Sequence, residues 1–328
     1  MGKNALAAVG IANPIMSIAI FFILGICMGT SILMAQLFGS GDNKTLKKEV
    51  STALILGIIF TISLSIICII LSRWILIITR TPKEILNDTD IFLKIIFGGM
   101  IFSFFYNYYS SALRAIGDSK TPLIFLIVSF LLNAVLCVIF IIKFRLGVAG
   151  SAIATVVAQG VSSVLCILYI YFKIPLLKLK RNELIIDKSL VKMTIQYSWV
   201  TALQQTCLYI GKLLIQGVVN AFGINAIAAY NSVTRVDSFM LAPGDSFSSS
   251  IAIYSAQNKG GEKFDRIIDG YKKGNLIIAI YGITTSLIIF LEANRIMKLF
   301  VSGSERDVIL IGVNYLKLMY LLCTFRML

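Results

Sequence analysis

Long apolar runs separated by short polar connections make up most of this chain. Seven uncharged runs are each long enough to cross the hydrocarbon core of a bilayer, which takes about 20 residues, and two further runs contain embedded charges. The uncharged runs cover residues 4–41, 50–72, 95–113, 121–142, 146–172, 193–211 and 274–291, and the charged ones cover about 224–258 and 308–328. Because the runs exceed the strands of membrane barrels and do not alternate strictly, they predict about nine spanning helices in an all-α membrane protein.

The first span is repeated later in the chain. Residues 2–39 and 223–260 align without a gap at an offset of 221, and ten of the 38 paired positions are identical. Such internal repeats are typical of secondary transporters. Six spans, an even number, separate the start of one copy from the start of the other, so the repeats are predicted to be parallel six-helix bundles. We assign 1–172 to the N-terminal bundle, 173–192 to a basic cytoplasmic linker and 193–328 to the C-terminal bundle.

The composition and charge pattern place these runs in lipid. The 328 residues are 58% hydrophobic and 14% charged, with a mean hydropathy of +0.88, a balance that a soluble domain does not show. The net charge of +14 does not indicate a nucleic-acid partner, because the basic residues separate apolar runs instead of forming a stripe. Alternate connections carry 16 and 10 Lys and Arg residues, so the richer set is predicted to be cytoplasmic, with the linker facing anionic membrane lipid.

Catalytic and metal-binding chemistry is not predicted. The chain has no histidine, and its cysteines lie within apolar runs without paired spacing. His-based acid–base chemistry, a zinc site and structural disulfides are therefore not expected. The protein is predicted to be neither an enzyme nor a cofactor carrier.

Polar residues inside the C-terminal spans are the first candidates for a cation- or substrate-binding site. A charge at the centre of a span costs about 2.5–3.5 kcal/mol on insertion scales, so it usually marks function or a structural pair. Asp237 is predicted near mid-membrane and Asp245 deeper toward the cytoplasm, and for both a structural role is the alternative. Gln204, Gln205 and Tyr209 form a polar cluster on the preceding span, where polar contacts between helices are the alternative.

Several short motifs, taken in order, resemble the multidrug and toxic compound extrusion (MATE) family of transporters. They are G-K-N-A-L-A-A-V-G-I-A-N-P at 2–14, M-A-Q-L-F-G-S-G at 34–41, A-L-R-A-I-G-D-S-K-T-P at 112–122, L-G-V-A-G-S-A-I-A-T-V-V-A-Q at 146–159, R-V-D-S-F at 235–239 and A-Q-N-K-G-G at 256–261. The resemblance covers nearly the whole chain. It implies helices two to ten of a twelve-helix plan, with the first helix and the last two expected to be absent.

The resemblance also implies a site for the coupling cation in the N-terminal half. Some members bind the cation with an Asn and an Asp on the fifth helix, a Thr on the sixth and an Asp on the first. Asn133 and Thr155 occupy the matching Asn and Thr positions, whereas Cys137 occupies the Asp position on the fifth helix. A thiol in apolar surroundings stays neutral and replaces a carboxylate poorly.

The function implied by the resemblance is export of amphipathic organic cations by alternating access, coupled to entry of H⁺ or Na⁺. The expected setting is a monomer in a bacterial plasma membrane, with small-molecule organic substrates and no cofactor besides the coupling ion. Two alternatives are a flippase for lipid-linked oligosaccharides from the same superfamily and an inactive fragment of a transporter.

Overall fold

A computed structural model describes residues 3–79, 81–301 and 305–327, and within those ranges the chain is helical and forms no strand. The predicted all-α class is confirmed. The α-helices, in chain order, are α1 (Lys3–Gly39), α2 (Asn43–Ile78), α3 (Lys83–Gly98), α4 (Met100–Ala115), α5 (Lys120–Val138), α6 (Gly147–Lys173), α7 (Lys188–Val219), α8 (Ile224–Gly260), α9 (Phe264–Phe300) and α10 (Arg306–Met327). A π-helical turn at Ile139–Lys143 extends α5, and short 3-10 turns lie at Arg181–Glu183 and Asn220–Phe222.

Several of these helices are long and apolar enough to cross a membrane. By length and composition, five spans are found in the described ranges: Ala7–Gly39, Asn43–Ile78, Lys120–Lys143, Gly147–Lys173 and Phe264–Phe300. The pair α3 and α4 meets the same criteria as a single bent span, which makes up to six. The other three predicted spans coincide with α7, α8 and α10, whose sequences are richer in polar residues. The chain is a multipass membrane protein.

The third predicted span differs from the structure in its start and in its shape. The uncharged run at 95–113 predicts one spanning helix, but α3 already begins after Pro82, and the chain bends by 43° between α3 and α4. The break lies at Gly99, where an added Cβ would overlap the side chain of Val156 on α6. The charges of α3 hid its start from the sequence analysis. One of them, Asp90, is buried.

The chain divides into two compact units, Met1–Cys207 and Leu208–Leu328. In the first unit, α1 packs against α2, α3 and α4, and α6 packs against α3, α4 and α5. The buried hydroxyl of Tyr108 on α4 donates a hydrogen bond to the Val50 carbonyl of α2 at 2.5 Å. A buried phenol needs such a partner, so this bond fixes α4 against the first turns of α2.

Close backbone approach joins α1 to the first half of α7 in the same unit. A Cβ added at Gly25 would overlap the backbone of Ala202, and one added at Gly29 would overlap the backbone of Tyr197 and Ser198. The hydroxyl of Thr201 donates to the Gly25 carbonyl at 2.6 Å. Small residues that allow such contact drive helix association in lipid, where the hydrophobic effect is weak.

The second unit is a bundle of α8, α9 and α10, each of which packs against the other two. Its buried residues include Val233 and Val236 on α8, Ile289, Ala293 and Met297 on α9, and Leu316 and Tyr320 on α10. Gly312 on α10 leaves space that the terminal methyl of Met297 fills. The second unit therefore has an apolar core of its own.

Candidate functional site

Asp237 lies at the centre of a polar and aromatic cluster in the second unit. Its Oδ1 accepts a hydrogen bond of 3.0 Å from the Tyr320 hydroxyl of α10, and the Lys212 ammonium of α7 lies within electrostatic range. Asp237 is partly buried, whereas Lys212 and Arg235 are exposed. The Asp237 carboxylate is thus partly buried, and the hydroxyl that donates to it, that of Tyr320, is neutral.

Two aromatic rings extend this cluster. The Tyr230 ring on α8 and the Tyr315 ring on α10 have centroids 6.1 Å apart, and Tyr315 lies close enough to interact electrostatically with Asp237. Electron-rich ring faces attract cations, and a nearby carboxylate adds to that attraction. We refer to Asp237, Tyr320, Tyr230 and Tyr315 as the acid–aromatic cluster. Its chemistry suits an organic cation.

The other C-terminal candidates lie outside this cluster. Asp245, two turns beyond Asp237, is exposed. Gln204 is exposed, and Gln205 is partly buried with its Nε2 at 3.8 Å from the Met28 sulfur of α1. Tyr209 is partly buried. The contact of Gln205 matches the helix-packing alternative named above.

Asn133 and Thr155 meet in the first unit. Asn133 Nδ2 donates to Thr155 Oγ1 at 3.1 Å, and Thr155 Oγ1 donates to the Ser151 carbonyl at 3.0 Å. Cys137 lies one turn after Asn133, with its sulfur at 3.9 Å from Asn133 Oδ1. The three side chains are partly buried. They offer neutral oxygen atoms and a thiol, and no carboxylate joins these hydrogen bonds.

No metal centre is found in the part of the chain that the structure describes. Within those residues, no group of three or more His, Cys, Asp or Glu side chains is placed to hold a metal ion. The Asn133 and Thr155 oxygens are hard ligands of the kind that alkali and alkaline-earth cations prefer. Neutral oxygens alone bind such cations more weakly than a carboxylate does.

Two buried carboxylates were missed by the sequence analysis. Asp90 on α3 is 3% exposed, accepts from the Ser72 hydroxyl of α2 at 2.6 Å and pairs with Lys94 at 2.7 Å. Glu49 on α2 is fully buried and contacts Thr194 of α7. The four-residue spacing of Asp90 and Lys94 was the available signal for the first. Glu49 follows two lysines and therefore looked like part of a solvated connection.

The linker is bound to the start of α2 by several polar contacts. Lys47 pairs with Glu183 at 3.2 Å, and Lys48 pairs with Asp187 at 2.9 Å. The Ser51 hydroxyl donates to the Ile185 carbonyl at 2.8 Å and accepts from the Ile185 N–H at 2.7 Å. We call this set of contacts the linker clasp.

The contacts of the linker clasp lower the pKa values of its two carboxylates. Hydrogen bonding to the Lys48 ammonium and to Ser189 lowers the pKa of Asp187 from 3.8 to about 2. The Lys180 backbone N–H, followed by the Lys47 ammonium, lowers the pKa of Glu183 below its usual range. Both carboxylates are therefore ionised and paired at neutral pH.

Comparison with known proteins gives independent information on this chain. The MatE family profile matches residues 1–139 and 201–328. The probable multidrug resistance protein YoeA of Bacillus subtilis (strain 168) is 31% identical over 312 residues, which are 93% of this chain and 67% of that protein. The probable multidrug resistance protein YpnP of the same strain is 28% identical over 323 residues, which are 97% of this chain and 70% of that protein.

A solved structure shares the fold. It is described as the outward-facing conformation of a multidrug resistance MATE family transporter of the MOP superfamily, and it matches with a TM-score of 0.91 at 20% identity. The match covers 100% of this chain and 73% of the other. At this identity the likeness concerns the fold alone.

Proposed function

Because this chain belongs to the MATE family of membrane transporters, we propose that it exports amphipathic organic cations in exchange for H⁺ or Na⁺. Members of this family are transporters and not enzymes. The two Bacillus subtilis relatives, which are named as probable multidrug resistance proteins, support multidrug export as the activity. Alternating access of a site to the two sides of the membrane is the mechanism that we propose.

The observation that carries this proposal is the acid–aromatic cluster in the second unit. Asp237 is a partly buried carboxylate on a helix of a membrane protein, a position that costs free energy and that usually marks function or a structural pair. Its hydrogen-bond partner, Tyr320, is a neutral hydroxyl and not a cation. The Lys212 ammonium acts on Asp237 at longer range, and no ion pair of Asp237 is found among the described residues. An organic cation can therefore bind the carboxylate directly, and the Tyr230 and Tyr315 rings supply apolar and cation–π contact.

For the coupling ion we propose the cluster of Asn133 and Thr155. Their hydrogen bond joins α5 to α6 through neutral oxygens, and the resemblance assigns these two positions to the cation. The carboxylate of that site is replaced by Cys137 on α5, so we expect weak binding of the ion at these residues alone. Asp245, Gln204, Gln205 and Tyr209 remain candidates for substrate contact that lie outside the acid–aromatic cluster.

The test is export of a fluorescent cation such as ethidium from cells that produce the protein. In Asp237→Asn the carboxylate becomes a neutral amide of the same size. We expect export to fall by about tenfold or more, since an interaction with a charged group contributes about 1.5–3 kcal/mol. Tyr320→Phe keeps the charge and removes one donor, so its effect should be smaller.

The matched control is Asp265→Asn, which removes an exposed carboxylate in the first turn of α9. Its export should equal that of the wild type at equal protein amounts. Equal export by Asp237→Asn and wild type would exclude the acid–aromatic cluster as the cation site. Export measured with imposed gradients of H⁺ and of Na⁺ separately identifies the coupling ion, and dependence on neither gradient would refute the exchange mechanism.

A further inference from the structure

Glu49 is a fully buried carboxylate that the proposed transport sites do not use. It lies in the second turn of α2, and its relative exposure is 0%. Its only hydrogen-bond partner among the described residues is Thr194 of α7, itself 3% exposed. An isolated carboxylate anion in such surroundings is strongly disfavoured, because little compensates its lost hydration.

The hydrogen bonds of Thr194 determine which atom carries the proton. The Thr194 oxygen lies 3.0 Å from Glu49 Oε1, 2.8 Å from Glu49 Oε2 and 2.9 Å from the Leu190 carbonyl. A hydroxyl donates one proton and accepts up to two. If Glu49 is ionised, that single proton must serve both a carboxylate and a carbonyl. If Glu49 is protonated, one of its oxygens donates to Thr194 and Thr194 donates to the Leu190 carbonyl, so both the Glu49–Thr194 and the Thr194–Leu190 contacts have a proton.

The surroundings of Glu49 do not supply a compensating cation. The titratable groups on neighbouring elements include Cys27 on α1, Lys44, Lys47 and Lys48 on α2, Tyr108 and Arg114 on α4, Lys188 and Lys192 on α7, and Glu183 and Asp187 in the linker. The Arg114 guanidinium donates to the Ser111 hydroxyl of its own helix. Lys47 and Lys48 are engaged with the linker carboxylates, and Lys192 is exposed. The Tyr108 hydroxyl donates to the Val50 carbonyl. In the described part of the chain, no cation forms an ion pair with Glu49.

We infer that Glu49 is a proton-binding site, held as the neutral carboxylic acid that donates to Thr194 and so joins the start of α2 to the start of α7. When the proton leaves to water, a buried anion remains with a single shared donor. The contact between α2 and α7 then weakens. Proton binding at Glu49 thus stabilises the attachment of α7 within the first unit.

Two measurements on the purified full chain in detergent test this inference. In the infrared spectrum at neutral pH, Glu49→Gln should remove one protonated carboxylic acid C=O band of the wild type. In thermal unfolding, the wild-type Tm should fall as pH rises above neutral, because the folded state holds a proton that the unfolded state has released. Glu49→Gln, whose amide N–H replaces the acid O–H, should lose this part of the pH dependence.

Two further variants complete the design. Glu84→Gln changes an exposed carboxylate on α3 and should leave both the band and the pH profile as in the wild type. Thr194→Val removes the acceptor of the Glu49 proton, so the acid band should shift in frequency. A spectrum that neither Glu49→Gln nor Thr194→Val alters would show that Glu49 is ionised and would overturn the inference. Both measurements use protein without substrate and are therefore independent of export.

Discussion

Ser51 offers a direct test of how the linker is held. Its hydroxyl is fully buried and forms two hydrogen bonds to one residue, accepting from the Ile185 N–H at 2.7 Å and donating to the Ile185 carbonyl at 2.8 Å. Ser51→Ala removes both bonds and leaves the rest of α2 unchanged. The linker then keeps its ion pairs and the bond from the Asp187 N–H to Thr52 Oγ1 at 3.0 Å, but it loses its attachment at Ile185.

The size of the effect follows from these two bonds. A neutral hydrogen bond contributes about 1 kcal/mol net, so their loss lowers the free energy of local opening by about 2 kcal/mol. Each 1.4 kcal/mol is a factor of ten in an equilibrium, so the open population of the linker should rise roughly 30-fold. The Lys47 and Lys48 pairs are partly exposed and add little to this figure.

Limited proteolysis measures this opening. Trypsin cleaves after Lys180 and Arg181, whose side chains are exposed but whose backbone must leave the clasp to enter a protease. When opening is fast relative to cleavage, the cleavage rate follows the open population, so Ser51→Ala should be cut there about 30-fold faster. Ser40→Ala is the control, because the Ser40 hydroxyl is exposed and donates to the Leu37 carbonyl of the preceding turn, outside the clasp. A rise of less than about threefold, or an equal rise in Ser40→Ala, would refute the clasp.

Two other predictions concern pH and core packing. Since pairing lowers the pKa of Asp187 from 3.8 to about 2, its contribution to the clasp is complete above 3.8 and is lost as pH falls toward 2. Hydrogen exchange of the linker amides, corrected for intrinsic rates, should show this loss as pH falls. In Lys48→Gln the midpoint of the loss should move toward pH 3.8. An unmoved midpoint would contradict the pairing of Lys48 with Asp187. Met297→Ala should destabilise the second unit by about 2–5 kcal/mol, since Met297 is fully buried against α10. Denaturant unfolding in detergent measures this loss of stability. The control is Met193→Ala, because Met193 is 39% exposed. Equal losses of stability in the two variants would argue against a packed core around Met297.

Hydropathy predicted the helices well because apolar runs in lipid leave the backbone few other choices. It failed at α3, where Asp90 and Lys94 lie within a span. A charge pair one helical turn apart can be buried because its members compensate each other, and a search for uncharged runs excludes such a segment. The bend at Gly99 was also missed, since it depends on the position of Val156, distant in sequence.

Candidate site residues could be predicted where the residue type or a local motif was itself informative. Asp237 was found because a carboxylate in a span is rare, and Asn133 and Thr155 were found through a motif. Tyr320 was missed because its contact with Asp237 joins residues 83 positions apart. Glu49 was missed because burial depends on α7, which local charge pattern does not reveal.

The glycine contacts of α1 have a mechanical consequence. Gly25 and Gly29 bring the α1 backbone directly against the α7 backbone, and the Thr201 hydroxyl is hydrogen-bonded to the Gly25 carbonyl at the same contact. Rotation or sliding of either helix by one residue would bring a Cβ into a space that admits only hydrogen. The α1 helix and the first half of α7 therefore keep one register, and a movement of one helix moves the other with it as one rigid body.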